Sequence, residues 1–430
     1  MRKIIINGGK KLNGKIHLSG GKNASLPILI STLLFDEKVK LSNVPDVFDV
    51  SSTEKLLVSL GSFVERDSKG NFVIDNSNIT NTTASKELVS NFKASFLVFG
   101  PLLTKYKNCK VALPGGCKIG PRPVDIYLKT MREMGAIIEE TGEYIIASAE
   151  KLIGAEITLR LPSVGATENL VMASVLAEGK TIINNAAQEP EVVDLCNFLI
   201  KAGARIKGAG TNKIEVIGVE KLHPVDYTIM CDRIEALSYI MAGLITDGDL
   251  TIEGVDFDYV VGQPIELLTK TMGANIQTID SKTIRVIGNK ADMMPADVKT
   301  DFFPGFPTDG QPIIMSLMTT INGVSNVNET IFEDRFHHIE ELNKMGANII
   351  LQPSNNPKDR TATINGSLNC LKGANVTTHD LRAGMALVLA GLSAKGTTAV
   401  DEIYHIERGY EDLVGKLSSC GADIKKVIDE

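Results

Sequence analysis

The sequence predicts an α/β protein built from six copies of one structural unit, arranged as two domains. Three observations indicate this: a glycine at nearly constant spacing, an apolar helix in every copy, and a length of 430 residues. A fixed period is typical of repeat architectures, and a chain of this length exceeds one ordinary core. The glycines are Gly61, Gly135, Gly203, Gly273, Gly346 and Gly421, which by subtraction lie 74, 68, 70, 73 and 75 residues apart.

The elements follow one order in each copy, which is clearest in the third. An almost wholly apolar segment predicts a helix, and a short β-branched run predicts a strand. Apolar residues at helical spacing then predict a second helix that ends before Gly203, and two strands flank a Gly-rich turn. These elements are expected at residues 167–177, 181–183, 191–201, 205–206 and 213–217.

The first helix of every other copy is also apolar on all sides. A helix without a polar face must be buried on all sides. We therefore expect these helices to be wrapped by small sheets, with the amphipathic second helices outside. The apolar segments are residues 26–34, 96–103, 234–245, 313–318 and 385–392.

The two ends of the chain are predicted to complete one copy together. The sixth copy stops after one strand, residues 422–428, and residues 2–7 form a spare strand at the start. The predicted domains are therefore residues 22–229, and residues 1–21 joined with 230–430. The chain would cross between them twice, and we expect a ligand-binding cleft there because domain interfaces favour such sites.

The composition excludes several classes of protein. Forty-five basic and 52 acidic side chains give a net charge of −7, so a broad basic face for nucleic acid or membrane surfaces is not expected. No apolar run is long enough to span a bilayer, and the start of the chain lacks the apolar core of a signal peptide. The six cysteines form no C-x-x-C pair, which favours reduced thiols and a cytoplasmic protein.

The starts of the apolar helices are polar, and four of them carry a cation. Free main-chain N–H groups and the helix dipole attract anions at such ends, so an anionic substrate is predicted. The alternative is that the Asp, Ser and Thr residues there only cap the helices. The four cations are Lys22, Lys93, Arg233 and Arg382.

Two loops interrupt the repeat. Residues 113–125 contain Cys117, Lys118 and Arg122 among glycines and prolines. A thiol near cations and main-chain N–H groups has a lowered pKa and is reactive, whereas a lone cysteine is otherwise a small core residue. The second loop, residues 301–311, contains Asp309, which is either a helix cap or a positioned carboxylate. Nucleotide-binding glycine motifs are incomplete, and an exposed helix face explains the His/Glu pairs of residues 337–341 better than a metal does, so we expect neither a cofactor nor a metal.

The chain resembles the enolpyruvyl transferase family over its whole length. The resemblance implies two inside-out α/β barrel domains, each built of three units with two helices and a small sheet. The cysteine loop and the GGKNA helix start are highly specific together. The motifs are SGGKNASLPI at Ser19, LPGGCKIGPRPVD at Leu113, PSVGATEN at Pro162, EPEVVDL at Glu189, FPTDGQ at Phe306, TIFEDRF at Thr330, DLRAG at Asp380 and YHIERGYE at Tyr404.

The family branch with this cysteine implies a reaction. Phosphoenolpyruvate would give its enolpyruvyl group to the 3-hydroxyl of UDP-N-acetylglucosamine through a tetrahedral ketal, with release of phosphate and no metal. This is the first committed step of peptidoglycan synthesis. The resemblance also implies feedback by a UDP-muramic acid nucleotide.

The resemblance further implies residue roles. Lys22, Arg122 and Arg408 would hold the phosphate and carboxylate of phosphoenolpyruvate. Cys117 would protonate the methylene carbon, and Asp309 would accept the hydroxyl proton. Sugar-nucleotide contacts are expected from Asn23, Arg122, Pro123, Val124, Asp125, Ile126, Tyr127, Ser163, Val164, Gly165, Ala166 and Ile331. The residues expected to shape the surrounding site are Glu189, Asp232, Arg335, Asp380 and Arg382.

One departure and two alternatives remain. Lys93 stands where the family commonly has arginine. We expect weaker binding of the substrate phosphate, because lysine lacks the planar guanidinium that can donate two hydrogen bonds to a phosphate. The shikimate-pathway branch is the first alternative, although it usually has a Gly-Asp-Lys-Ser start and no cysteine in this loop. The second is a non-catalytic paralogue, which should have lost Cys117, Asp309 or Arg408; all three are present.

Overall fold

The computed structural model describes residues 2–89, 93–113, 124–256 and 263–428. Within them the chain divides into two compact units. The central unit comprises the described residues between Gly20 and Met230. The terminal unit comprises those up to Ser19 and those from Cys231 onward. The domain boundaries predicted from the repeat, at residues 22 and 229, remain a prediction.

Three four-stranded sheets in each unit share one strand order. An outer strand runs parallel to the strand that follows the buried helix, and two antiparallel strands complete the sheet. In this order the central strands are Asp226–Thr228, Val39–Ser42, Phe72–Asp75 and Phe63–Arg66; Thr83–Ala84, Asn108–Ala112, Tyr144–Ser148 and Ile137–Glu140; and Glu156–Thr158, Lys180–Asn184, Lys213–Ile217 and Arg205–Lys207.

The terminal unit repeats this order and uses the start of the chain. Arg2–Asn7 is hydrogen-bonded between two strands of the last copy, with Ile5 opposite Ala399 on one side and Lys425 on the other. The prediction that the N-terminal strand completes the sixth copy is confirmed. The terminal strands are Asn13–His17, Asp249–Glu253, Thr283–Ile287 and Asn275–Asp280; Val298–Lys299, Gly323–Glu329, Arg360–Gly366 and Ile349–Leu351; and Asn375–Thr377, Thr397–Asp401, Arg2–Asn7 and Asp423–Ile428.

The outer strands show how the chain leaves each unit. Asn13–His17 comes just before the first central helix but pairs with Asp249–Glu253 of the terminal unit. Asp226–Thr228 comes just before Arg233–Ile245, the first buried helix of the terminal unit, but pairs with Val39–Ser42 of the central unit. These two outer strands therefore each complete the sheet of the unit that the chain is leaving.

The predicted apolar helices are buried, as expected. Every residue from Ile234 to Ile245 is buried, for example, and in the terminal unit the three such helices pack against one another. Five of the six begin one to four residues earlier than predicted, so several polar residues of their starts, such as Lys22 and Arg382, belong to the first helical turn. The helices are Lys22–Ser31, Phe99–Tyr106 after a 3₁₀ turn at Lys93–Val98, Val164–Ser174, Arg233–Ile245, Gln311–Met318 and Leu381–Ser393.

The second helices end at the recurring glycines. All six of these glycines have a positive φ, between 77° at Gly273 and 114° at Gly61. Glycine adopts this left-handed conformation without penalty. The fourth copy differs because a short helix continues into a π-helical turn, Leu267–Thr271. The second helices are Phe48–Leu60, Asp125–Glu133, Pro190–Lys201, Gln263–Glu266, His338–Lys344 and Leu413–Ser419. Shorter segments are Thr32–Leu34, Lys86–Val89, Thr308–Gly310 and Tyr404–Glu407.

Candidate active site

Lys22 occupies the first position of its buried helix and pairs with a carboxylate from the next helix. Its Nζ lies 3.4 Å from Oδ2 of Asp49, and the side chains are 13% and 3% exposed. A charge this deeply buried needs its partner, so Asp49 fixes where the Lys22 charge lies. Asn23, the next residue, is half-buried. Sequence reasoning missed Asp49, since an acidic residue in a first helical turn is common for electrostatic reasons alone.

Two predicted substrate-binding segments of the central unit meet at Gly165. Ser163 caps the helix Val164–Ser174, its Oγ accepting a main-chain hydrogen bond from the first turn at 3.4 Å. A Cβ at Gly165 would overlap the hydroxyl of Tyr127, so glycine is needed for this close approach. The ring of Tyr127 is itself fixed edge-on against Phe96, with centroids 5.4 Å apart.

The other residues of these segments differ in exposure. Val124 and Val164 are half-buried, and Ile126 is buried. Asp125 forms an ion pair with Arg160 at 3.1 Å, with both side chains more than half exposed. Exposed pairs of this kind contribute little to stability, so both side chains can exchange partners with a bound ligand.

Glu189 lies among buried carboxylates. It begins the helix Pro190–Lys201, and Glu168 and Glu191 are buried with it. Burial raises the pKa of Glu168 well above its usual range, and the charges of Glu191 and Glu189 raise it further. Glu168 therefore favours its protonated form, which sequence reasoning did not reveal.

Replacing Glu168 with glutamine should stabilise the protein increasingly as pH rises. The raised pKa keeps Glu168 protonated in the folded state at pH values where the unfolded chain ionises, so its stabilising contribution is complete below the unfolded pKa and is lost as pH rises toward the folded pKa. Glutamine does not titrate. Urea unfolding at pH 5 and pH 8 should show a larger advantage for Glu168→Gln at pH 8. An advantage equal at both pH values contradicts the shift.

Glu215 offers a matched control. It is a half-buried carboxylate of the same unit, and its hydrogen bond to Lys180 lowers its pKa. Glu215→Gln should therefore bring no gain in the free energy of unfolding at pH 8.

Asp309 is clamped by two buried arginines in the terminal unit. Oδ1 accepts from Nη2 of Arg335 at 2.8 Å, and Oδ2 accepts from Nε of Arg382 at 3.0 Å. The arginine side chains are 3% and 2% exposed, whereas Asp309 is 27% exposed. The carboxylate is thus held in one orientation while part of it remains accessible.

Arg382 lies in the first turn of Leu381–Ser393. Burial alone would lower its pKa, but the charge of Asp309 and the adjacent Tyr410 outweigh this, and the net shift is upward. Its guanidinium carbon lies 5.4 Å from the centre of the Tyr410 ring. Arg382 is therefore a fixed cation, and Tyr410 is a neighbour that sequence reasoning missed.

Two predicted acidic residues act as helix caps. Oδ1 of Asp380 accepts from the main-chain N–H groups of Arg382 and Ala383 at 2.8 and 3.0 Å. Oδ1 of Asp232 caps Arg233–Ile245 in the same way, at 2.8 and 3.0 Å. Capping accounts for Oδ1 of each residue, and their predicted place around the substrate site stays a prediction.

The other predicted residues of the terminal unit lie in short connecting segments. Arg408 is half-buried and directly follows the helix Tyr404–Glu407. Ile331 is half-buried, and its main-chain N–H donates to Oε1 of Glu329 at 2.9 Å.

Several predictions lie outside the described residues. They concern Cys117, Lys118, Arg122 and Pro123, together with the side chain of Lys93. Among the described side chains, no group of three or more His, Cys, Asp or Glu residues is arranged to hold a metal. No described helix has the length and apolar character needed to cross a membrane.

Comparisons with known proteins place these observations in a family context. Residues 6–417 match the family described as EPSP synthase (3-phosphoshikimate 1-carboxyvinyltransferase). The chain is 46% identical over 429 residues to the UDP-N-acetylglucosamine 1-carboxyvinyltransferase of Finegoldia magna, covering 99% of both chains. It is 45% identical to the protein of the same name from Ruthia magnifica subsp. Calyptogena magnifica, covering 100% of both.

Solved structures share the fold. The enolpyruvyl transferase NikO from Streptomyces tendae matches with a TM-score of 0.89 at 24% identity, covering 99% of this chain and 98% of that one. EPSP synthase from Acinetobacter baumannii matches over 100% of both chains with a TM-score of 0.76 at 19% identity. The predicted fold class is therefore confirmed.

Proposed function

Because the chain belongs to the family described as EPSP synthase (3-phosphoshikimate 1-carboxyvinyltransferase), we propose that it transfers an enolpyruvyl group from phosphoenolpyruvate. The acceptor is the 3-hydroxyl of UDP-N-acetylglucosamine, and phosphate is released. This acceptor is supported by full-length relatives that are named UDP-N-acetylglucosamine 1-carboxyvinyltransferase and are 44–46% identical to the chain. The structural observation that carries the proposal is the clamped, partly exposed carboxylate of Asp309.

The reaction needs one base and one acid. Asp309 accepts the hydroxyl proton as the acceptor oxygen bonds to C2 of phosphoenolpyruvate, and Cys117 adds a proton to the methylene carbon. In the second half, the Cys117 thiolate takes a proton back from that carbon while the bond from C2 to the phosphate oxygen breaks. The departing phosphate takes the proton held by Asp309, so both groups return to their starting forms.

Fixed cations stabilise the charge that develops during this addition. The substrate carries a phosphate and a carboxylate beside an electron-poor carbon, and preorganised charges lower the barrier most where water is excluded. We assign this role to Lys22, Arg335 and Arg382, since a carboxylate holds each of them and their side chains are 13%, 3% and 2% exposed. Nε of Arg335 is also buried with no hydrogen-bond partner among the described residues, which favours an anionic ligand nearby.

Phosphate release with two acceptors tests the proposal. Purified protein is mixed with phosphoenolpyruvate and either UDP-N-acetylglucosamine or shikimate 3-phosphate. Release with the sugar nucleotide alone is expected. Release only with shikimate 3-phosphate would move the chain to the alternative acceptor, and release with neither would favour a non-catalytic paralogue.

Lys93→Arg should lower the Michaelis constant for phosphoenolpyruvate. Arginine adds a planar two-pronged contact to phosphate while keeping the charge. One more charge-assisted hydrogen bond, at about 1 kcal/mol, corresponds to roughly a fivefold change. Steady-state kinetics of both proteins measure the effect, and unchanged Michaelis constants for both substrates would refute it.

The proposal extends to location and regulation. Cys109, Cys196, Cys370 and Cys420 form no disulfide, which supports a reducing, cytoplasmic setting. We also propose feedback by a UDP-muramic acid nucleotide, which the resemblance alone supports; titrating that nucleotide into the phosphate-release assay tests it.

A further inference from the structure

Glu329 is a fully buried carboxylate in the terminal unit, 0% exposed. It ends the strand Gly323–Glu329. Burying a carboxylate is costly unless its oxygens are hydrogen-bonded. Here both oxygens are, and they bind two different segments of the chain.

The first segment follows the strand directly. Oε1 of Glu329 accepts from the main-chain N–H groups of Ile331 and Phe332 at 2.9 and 3.1 Å. The start of this segment is also fixed, because the Thr330 hydroxyl donates to the carbonyl of Thr300 at 2.6 Å. Ile331 is a predicted sugar-nucleotide contact, so Glu329 sets the main-chain path at that position.

The second segment carries the candidate base. Oε2 of Glu329 accepts from the hydroxyl of Thr308 at 3.0 Å. Because the hydroxyl proton is used there, an oxygen lone pair of Thr308 faces Nη1 of Arg335, which donates to it at 3.4 Å. The same guanidinium donates through Nη2 to Asp309 at 2.8 Å.

We propose that Glu329 is a positioning residue that links the acceptor-binding segment to the base, acting through Thr308 and Arg335 on the Asp309 carboxylate. The inference rests on the proposed function, since it assigns Asp309 and Ile331 to one reaction. The position requires a carboxylate and not just any polar group. Both segments donate hydrogen bonds to Glu329, so both of its terminal atoms must be acceptors. An amide does not meet this need, because it offers one acceptor and one donor.

Thr308 separates the two halves of this link. Thr308→Val keeps the size of the side chain but removes the hydroxyl, so Arg335 loses one of its two hydrogen bonds to described residues, while Glu329 still holds Ile331 and Phe332. We expect kcat to fall about 10-fold to 100-fold, as for a small misplacement of a reacting group, with the affinity for UDP-N-acetylglucosamine unchanged. Thr308→Ser keeps the hydroxyl and should restore kcat to within about threefold, since the hydrogen bonds survive.

Glu329→Gln tests the link from the other end. The main-chain N–H groups of Ile331 and Phe332 can only donate, so the amide oxygen should stay toward them and the amide N–H should face Thr308, which then loses its acceptor. We expect a fall in kcat like that of Thr308→Val, with the dissociation constant for the sugar nucleotide unchanged. In the double variant the effects on kcat should be less than additive, because both substitutions interrupt the same link.

Thr320→Val is the matched control. Thr320 is also buried in the terminal unit, and its hydroxyl donates to the carbonyl of Leu317 at 2.8 Å, away from the candidate site. Its kcat should equal that of the wild type even if its Tm falls.

The experiment compares kcat for phosphate release and the dissociation constant for UDP-N-acetylglucosamine by calorimetry, in folded variants and wild type. Full activity of Thr308→Val, or additive losses in the double variant, would overturn the inference; if Glu329→Gln fails to fold, the Thr308 pair alone decides. A wild type that transfers to neither acceptor would instead refute the proposed function, and the positioning role would fall with it.

Discussion

Asp309→Asn is expected to reduce kcat by about 10²- to 10⁴-fold, the usual contribution of a positioned general base. Asparagine keeps the size of the side chain and one acceptor oxygen, but it cannot accept the hydroxyl proton. One of the two arginines, Arg335 or Arg382, would face the amide NH2 group, which cannot accept its hydrogen bond. Binding of UDP-N-acetylglucosamine should persist, because the 3-hydroxyl is one contact among many. Steady-state kinetics and calorimetry separate the two effects.

A matched substitution controls for the loss of a carboxylate. Asp412 caps Leu413–Ser419 in the same unit, and its Oδ1 accepts from the main-chain N–H of Gly415 at 3.2 Å. It is exposed and has φ of 44°, a conformation that asparagine tolerates. Asp412→Asn should keep the wild-type kcat. If Asp309→Asn kept it as well, Asp309 would not be the base.

Cys117 carries the second large effect. Cys117→Ala should lower kcat by about 10²- to 10⁴-fold through loss of the proton donor, whereas Cys117→Asp should keep measurable turnover because a carboxylic acid also donates a proton. The family resemblance implies that the epoxide fosfomycin alkylates Cys117, so it should inactivate the wild type and spare Cys117→Asp. Kinetics with and without the epoxide measure both outcomes.

Mass spectrometry of the treated protein should find one adduct, on Cys117. The thiolate is the nucleophile, and burial raises the pKa of Cys109 and Cys196 to about 12 and that of Cys370 above its usual value. Cys370→Ser, at a half-buried thiol of the terminal unit, is the control and should be labelled like the wild type. An unlabelled wild type, or full turnover of Cys117→Ala, would contradict the role of Cys117.

The repeat could be predicted because local rules determine it. Each recurring glycine is a left-handed helix end, and only glycine adopts that conformation freely. The first helices lack a polar face, which dictates burial without knowledge of their partners. The count of strands in the sixth copy predicts that the N-terminal strand completes it, and Arg2–Asn7 fills the missing position.

The sequence did not predict the features that depend on distant contacts. Outer strands such as Thr83–Ala84 are too short to carry a periodic pattern. Asp49 and Glu329 become informative only once Lys22 and Thr308 are seen beside them. An aspartate in the sequence can be a helix cap or part of a substrate site, and the residue type does not distinguish the two. For Asp380 and Asp232, the hydrogen bonds of the carboxylates show that they cap helices.

Product analysis in heavy water tests the central claim most directly. The protein is incubated with phosphoenolpyruvate and UDP-N-acetylglucosamine in D2O, and the nucleotide product is examined by NMR and mass spectrometry. Addition followed by elimination predicts an enolpyruvyl ether on the 3-oxygen with deuterium in its methylene group, because the thiol that protonates this carbon exchanges with solvent. An ether without deuterium would contradict protonation of the methylene carbon, and the absence of any ether would contradict enolpyruvyl transfer itself.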